Sequence, residues 1–203
     1  LNMPYSQFTT ITKVKEAFNL TTLEGITFFP EIAPIQPSNT LSATLEETLP
    51  LAVATGSEKA RSELIISPVL VEVRRILNRQ ISLFSGEDFN VDESLALNGR
   101  CDFLISRSTE QLAIEAPAMI IIEAKQADLK TGIGQCVAEM VAAQKFNESK
   151  QKPLPTVYGS VTNGLQWQFL KLSGTEVTID LKIYSLPPVD QILGFLVWMV
   201  GFE

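Results

Sequence analysis

Three residues offer the clearest chemistry in this chain: Asp102, Glu123 and Lys125. Glu123 and Lys125 are two apart, so on an extended strand they project from one face. They follow directly on Ala118-Met-Ile-Ile-Ile122, an apolar run of the kind found in a strand covered on both faces. Asp102 stands near the start of a second strand-like stretch, Cys101-Asp-Phe-Leu-Ile-Ser106. If the two strands pair, Asp102 reaches the face that carries Glu123. Two carboxylates converging at the end of a buried sheet repel each other. A hard divalent cation relieves this, since Mg²⁺ is held by one or two carboxylates plus waters and phosphate oxygens. Such a cation acidifies a bound water and neutralises charge on a reacting phosphate. A lysine beside it can orient the water and stabilise developing negative charge. Asp102, Glu123 and the Ala124 carbonyl are the candidate ligands for Mg²⁺ or Mn²⁺. A Glu-x-Lys pair alone is commonly a surface ion pair. Its place at the end of a central apolar strand, after an Asp on another strand, gives it weight.

Composition narrows the alternatives. The 203 residues suit one domain with a sizeable core, and 45% apolar with 19% charged residues is ordinary for a globular chain. Histidine is absent, which excludes a Ser-His-Asp triad and nearly excludes the usual zinc sites. Cys101 and Cys136 have no metal-ligand spacing and read as reduced, semi-buried thiols of a cytoplasmic protein. No leader peptide is expected, and the apolar run Ile192 to Phe202 is too short to span a bilayer. That run reads as a core helix or a homodimer interface. The net charge of −7 opposes tight, unaided binding to nucleic acid, whose affinity rests on Lys and Arg. A local basic groove, a metal or a protein partner would have to supply the positive field.

The elements that must position the three residues follow from periodicity. Short helices are expected over Thr10 to Asn19 and Ser42 to Thr48, within an N-terminal elaboration covering residues 1–55. Residues 56–203 form the expected core, within one compact domain overall. Ser57 is a good N-cap with Glu58 in the first turn, and Ala60, Leu64 and Ile65 mark one helical face. Pro68 interrupts that pattern, and helix resumes, or continues with a kink, over Val69 to Leu77. Strands are expected at Ile81–Phe84, Asp88–Val91 and Leu97–Ser106, with turns at Ser85-Gly86 and Asn98-Gly99. A helix over Thr131 to Phe146 carries two apolar stripes, so burial on two sides is expected. A strand at Val157–Thr162 leads into the hairpin signal Asn163-Gly164. Leu165, Trp167 and Phe169 alternate on the return strand; Val177, Ile179, Leu181 and Ile183 alternate on a third. Asp190 opens a terminal helix. The order predicts an α/β fold with a mixed central β-sheet flanked by helices.

Taken together, Gly99-Arg-Cys-Asp102, Ile120-Ile-Ile-Glu123-Ala-Lys125 and Gly134-Gln135 resemble the PD-(D/E)XK nuclease superfamily, the restriction-endonuclease-like fold. Val161-Thr-Asn-Gly164 with Trp167 and Phe169 is similar to the nuclease domain of type I restriction subunits. The resemblance spans about Ser57 to Leu172, and its short motifs are specific only as a set. It implies a metal-dependent nuclease with Asp102 and Glu123 as metal ligands and Lys125 as the catalytic lysine. It also implies supporting roles for Glu63, as the carboxylate of the first helix, and for Gln135, on the helix after the lysine. Against these stand plainer readings, a solvated helix residue for Glu63 and a polar first-turn residue for Gln135; Glu72 is a weaker candidate than Glu63. Cys101 departs from the pattern, standing where the family commonly has proline.

Two functions follow as expectations. One is a Mg²⁺- or Mn²⁺-dependent phosphodiesterase acting on nucleic acid, with DNA the expected substrate. The other is a catalytically silent or partner-dependent binding module of the same fold. Arg74, Arg75 and Arg79 suit a helix C-terminus without any ligand, and Trp167 reads as a core residue.

Overall fold

The computed structural model describes residues 5–201. Within it, the expected N-terminal helix forms as α1 (Ile11–Phe18), capped by the Thr10 side chain and closed by Asn19 in the left-handed conformation. A short strand β1 (Thr21–Glu24) follows. Helix α2 (Asn39–Thr55) is longer than the stretch expected at 42–48, because Ser38 caps it early and Pro50 is accommodated inside it.

The interruption expected at Pro68 is bridged. Helix α3 (Glu58–Arg61) runs through a π turn (Ser62–Ile66) into α4 (Ser67–Ile76). Proline has no N–H and its ring crowds the carbonyl four residues back. The π turn moves the Ser67 N–H onto the Ser62 carbonyl. The Leu64 carbonyl, left without a partner by Pro68, accepts the Thr48 hydroxyl of α2 at 2.6 Å. Helix continuity and the packing of α2 on the π turn thus have a common cause.

The remaining elements are β2 (Ser82–Asp88), β3 (Arg100–Ser106), β4 (Ala118–Ala124), α5 (Lys130–Ser149), β5 (Val157–Thr162), β6 (Gln166–Ser173), β7 (Glu176–Ile179), β8 (Tyr184–Ser185) and α6 (Asp190–Val200). They build one mixed eight-stranded sheet in the order β1-β7-β6-β5-β4-β3-β2, with β8 pairing β6 beside β7. The β4–β5 and β1–β7 pairs are parallel and the others antiparallel. The fold is therefore α/β with a mixed sheet flanked by helices.

Two cores lie on opposite faces. Ile65, Leu70, Ile120, Ile122, Trp167 and Phe195 belong to the one formed with α2–α4 and α6. Leu104, Ile121, Val137, Met140 and Val161 belong to the one formed with α5. The two-sided burial of α5 is real: the sheet covers one side, and residues 5–18 the other. A Cβ on Gly134 would come within 2.3 Å of the Phe8 carbonyl oxygen, so only glycine allows that approach. The apolar residues of α6 other than Val197 and Trp198 are likewise buried within the chain's own fold.

Three local expectations are corrected. Ser85-Gly86 is no turn: β2 runs through it, with Gly86 at φ 68° on the sheet edge. The β5–β6 hairpin turns on Gly164 and Leu165 rather than on Asn163-Gly164. The Asn163 N–H donates to the Gln166 carbonyl, and Gly164, at φ 85°, takes the first central position that type II′ reserves for glycine. The third strand stops at Ile179. Buried Asp180 takes hydrogen bonds from the Thr27 and Tyr184 hydroxyls and the Lys182 N–H, and Leu181 and Ile183 are exposed.

Candidate active site

β3 and β4 pair in register up to Phe103 opposite Ile122. Asp102 and Glu123 are the next positions, and opposed antiparallel residues share a face. There the ladder ends. The Asp102 carboxylate instead accepts the Ala124 N–H at 2.8 Å. A side chain thus replaces the missing backbone partner, and the strands part around it. On the other side of β4, the Lys125 N–H still donates to the Thr162 carbonyl at 2.8 Å, continuing the parallel pairing with β5. Within one extended residue the N–H and C=O point to the same side. The Ala124 carbonyl therefore faces the gap that holds Asp102.

Glu123 is 1% exposed and lies at the centre of the constellation. Its Oε1 is 2.5 Å from Lys125 Nζ. Its Oε2 accepts from Gln135 Nε2 at 3.0 Å. The same Gln135 nitrogen donates to Glu139 Oε1 at 3.1 Å. Asp102, Glu123 and Lys125, placed together by spacing, and Gln135, implied by the resemblance, thus lie in one group. Gly132 lets α5 lie on this group: a Cβ there would come within 2.7 Å of Val161, 3.0 Å of Lys125 and 3.1 Å of Glu123.

Glu63 is not part of this group. It forms an exposed ion pair with Lys59, at 2.7 Å, on the solvent side of its helix. The acidic residue of α3 whose charge reaches Glu123 and Lys125 is Glu58, in the first turn. Glu72 is committed elsewhere. Buried at the α2–α4 contact, it takes Ser38 N–H and hydroxyl bonds and a two-pronged Arg75 guanidinium, which holds its carboxyl below the ordinary range. Arg74 donates to the Ile81 carbonyl, and Arg100 sits 3.6 Å from Asp88 at the surface. Trp167 is fully buried, with its Nε1–H on the Gly164 carbonyl.

The electrostatics follow from burial. Desolvation pushes the Glu123 carboxyl up to about 8, aided by the Asp102 charge and opposed by Lys125. Desolvation also raises Asp102, although the Ala124 N–H and Lys125 pull it down. Burial alone would lower Lys125, but Glu123, Glu58 and Asp102 together hold it above its ordinary value, as a cation. For Glu123, burial and like charge outweigh the lysine despite the short contact.

One buried acid escapes the sequence reading altogether. Glu139 is 0% exposed on α5, its carboxyl driven well above the ordinary range by burial and then by Glu123. The Cys101 thiol lies against it. Its signal is present in the sequence: an acid in the otherwise apolar run Cys136-Val-Ala-Glu-Met-Val-Ala-Ala143, four residues after Gln135 and so on the same helix face.

The donor set fits a hard divalent cation. Asp102, Glu123 and the Ala124 carbonyl are all oxygen donors, and the Asp102 charge that raises Glu123 is what such a cation would offset. Among the described residues no cluster of three or more His, Cys, Asp or Glu side chains is placed to hold a metal ion, so waters or substrate oxygens would have to complete the shell. No protein-family model matches the chain, and no curated protein matches it. Among the described residues no helix is long and apolar enough to cross a membrane.

Proposed function

We propose that this chain is a metal-dependent phosphodiesterase. More specifically, it is read as a PD-(D/E)XK-type nuclease acting on DNA. The observation that carries this reading is the convergence of Asp102, Glu123 and Lys125 where the two central strands part.

Asp102, Glu123 and the Ala124 carbonyl would hold Mg²⁺ or Mn²⁺. When bound, the ion supplies Lewis acidity and an activated water. The protein's own share is positioning and charge. Asp102 is fixed by the Ala124 N–H, and Glu123 by Gln135. Lys125 keeps its proton and presents a cation, which serves to orient water and stabilise a developing phosphate charge. The test is nicking of plasmid and degradation of single-stranded DNA with Mg²⁺ or Mn²⁺, by wild type and by Lys125→Ala. The variant is expected to lose about 100-fold or more in rate. Equal activity in both would sink the assignment.

A second reading draws on the net charge of −7 and on the site's self-neutralisation by Lys125. In it the chain is silent alone and acts as a binding module that a protein partner brings to nucleic acid. Calorimetry separates the two: absence of Asp102-dependent binding of Mg²⁺ and Mn²⁺ favours the module. A homodimer through α6 would have to use Val197 and Trp198, which are partly exposed there. The two free, buried thiols suit a cytoplasmic setting.

A further inference from the structure

The buried acid on α5 is not among the proposed metal ligands, yet it shares a donor with the central carboxylate. Gln135 Nε2 lies 3.0 Å from Glu123 Oε2 and 3.1 Å from Glu139 Oε1. The amide presents its NH₂ to both oxygens, and each of its hydrogens has one acceptor. Gln135 is itself partly exposed, and a glutamine side chain there has several rotamers to choose from. Glu139 is fully buried between sheet and N-terminal segment, on a helix locked by close approach at Gly132 and Gly134. Its second oxygen, Oε2, is buried without a hydrogen-bond partner. A buried carboxyl with an unmet oxygen is costly, and an apolar residue would pack α5 at lower cost.

We propose that Glu139 is the positioning residue of Glu123, acting through Gln135. The side chain of Glu139 fixes one hydrogen of the Gln135 amide and so aims the other at Glu123. Glu123 is thereby held from the helix side, while Lys125 holds it from the strand. The clamp rests on the nuclease reading only for its purpose, since its geometry exists without metal. Groups that orient a metal ligand in this way usually change affinity or activity about 10- to 100-fold when removed.

The test compares Glu139→Leu with Glu139→Gln in the full chain. Glutamine at 139 keeps an oxygen that can accept from Gln135; leucine does not. The direct readout is hydrogen exchange of the Gln135 side-chain NH₂, followed by NMR without metal. Exchange should be slow in wild type and in Glu139→Gln and at least about 10-fold faster in Glu139→Leu. Mn²⁺ affinity should fall by about 10- to 100-fold in the leucine variant and stay within about twofold in the glutamine variant. If Glu139→Leu does not fold, Glu139→Ala takes its place. Unchanged Gln135 exchange on loss of the carboxyl overturns the clamp, whether or not metal binds. The expected exchange pattern in a protein that binds no Mn²⁺ upholds the clamp and sinks the nuclease reading instead.

Discussion

Replacing Glu123 by glutamine should stabilise the metal-free protein, and the gain should grow with pH. In the folded chain the Glu123 carboxyl is pushed from 4.5 up to about 8, chiefly by burial and then by Asp102. An acid whose folded value is raised is at no disadvantage below its unfolded value, about pH 4.5. Its contribution to stability is lost as pH rises toward 8, because the folded state must keep a proton that the unfolded state releases. At 1.36 kcal/mol per pH unit the loss reaches up to about 3 kcal/mol at pH 7. Glutamine has the shape of the protonated acid and never pays this penalty. Its single oxygen accepts from Gln135 or from Lys125 but not from both, so the shape is retained and one of the two bonds is given up. Denaturant unfolding in EDTA, from pH 5 to pH 9, gives both stabilities. Asp102 and Glu139 also titrate upward, and the Glu123 charge raises Glu139 further, so removing that charge adds to the variant's gain at high pH. The difference between variant and wild type should be small near pH 5 and climb to a plateau above pH 8. A difference that ignores pH, or that favours wild type at pH 8, would refute the account of burial at this site.

Other consequences are simpler to test. Asp102→Asn keeps an acceptor for the Ala124 N–H, so thermal unfolding should stay within about 1 kcal/mol of wild type, while Mn²⁺ binding by calorimetry should be lost. Metal affinity of the wild type should strengthen between pH 6 and pH 8, by at most about tenfold per unit, because metal and proton compete for Glu123; isothermal titrations across that range check it. Gly132→Val places a branched side chain against Val161, Lys125 and Glu123, so it should cost about 1–3 kcal/mol in unfolding and abolish metal binding in the protein that still folds.

The strand that carries Glu123 and Lys125 was plain in the sequence because a continuous apolar run ending in charges has few other readings. Asp102 followed from its place on a neighbouring strand, and Gln135 came only from the resemblance. Glu63, which the resemblance offered beside the plainer reading of a solvated helix residue, takes the plainer one, because motif order does not fix which face of an irregular helix a residue is on. The π turn at Ser62–Ile66 shifts the helix phase, and Glu63 faces solvent beside Lys59. The same turn explains why Pro68 marks no break: its consequences are absorbed by Thr48, sixteen residues before Leu64, which local periodicity does not report. The third strand fails for a related reason. Val177, Ile179, Leu181 and Ile183 alternate without fault, but Asp180 between them is buried by bonds to Thr27 and Tyr184. A polar residue on the expected solvent side carried the information, and its partners lie far away in sequence. Glu139 was hidden by its surroundings, because an acid in an apolar stripe reads as an interruption until its partner is located.

The site also depends on how the sheet ends. To bring Asp102 beside Glu123, β3 and β4 must separate, and separation normally strands backbone donors in a buried place. Here each donor is met from a different source. The Ala124 N–H goes to the Asp102 carboxylate and the Lys125 N–H to the Thr162 carbonyl across β5. Asp102 therefore has two functions that one mutation can separate. As an acceptor it closes the ladder, and asparagine can do that. As an anion facing Glu123 it creates the repulsion that a cation would relieve, and asparagine cannot. A polar cap would serve the fold equally well without charge. A second carboxylate buried beside Glu123 carries a cost, since burial makes both groups weaker acids, and a cation of the kind proposed would offset it.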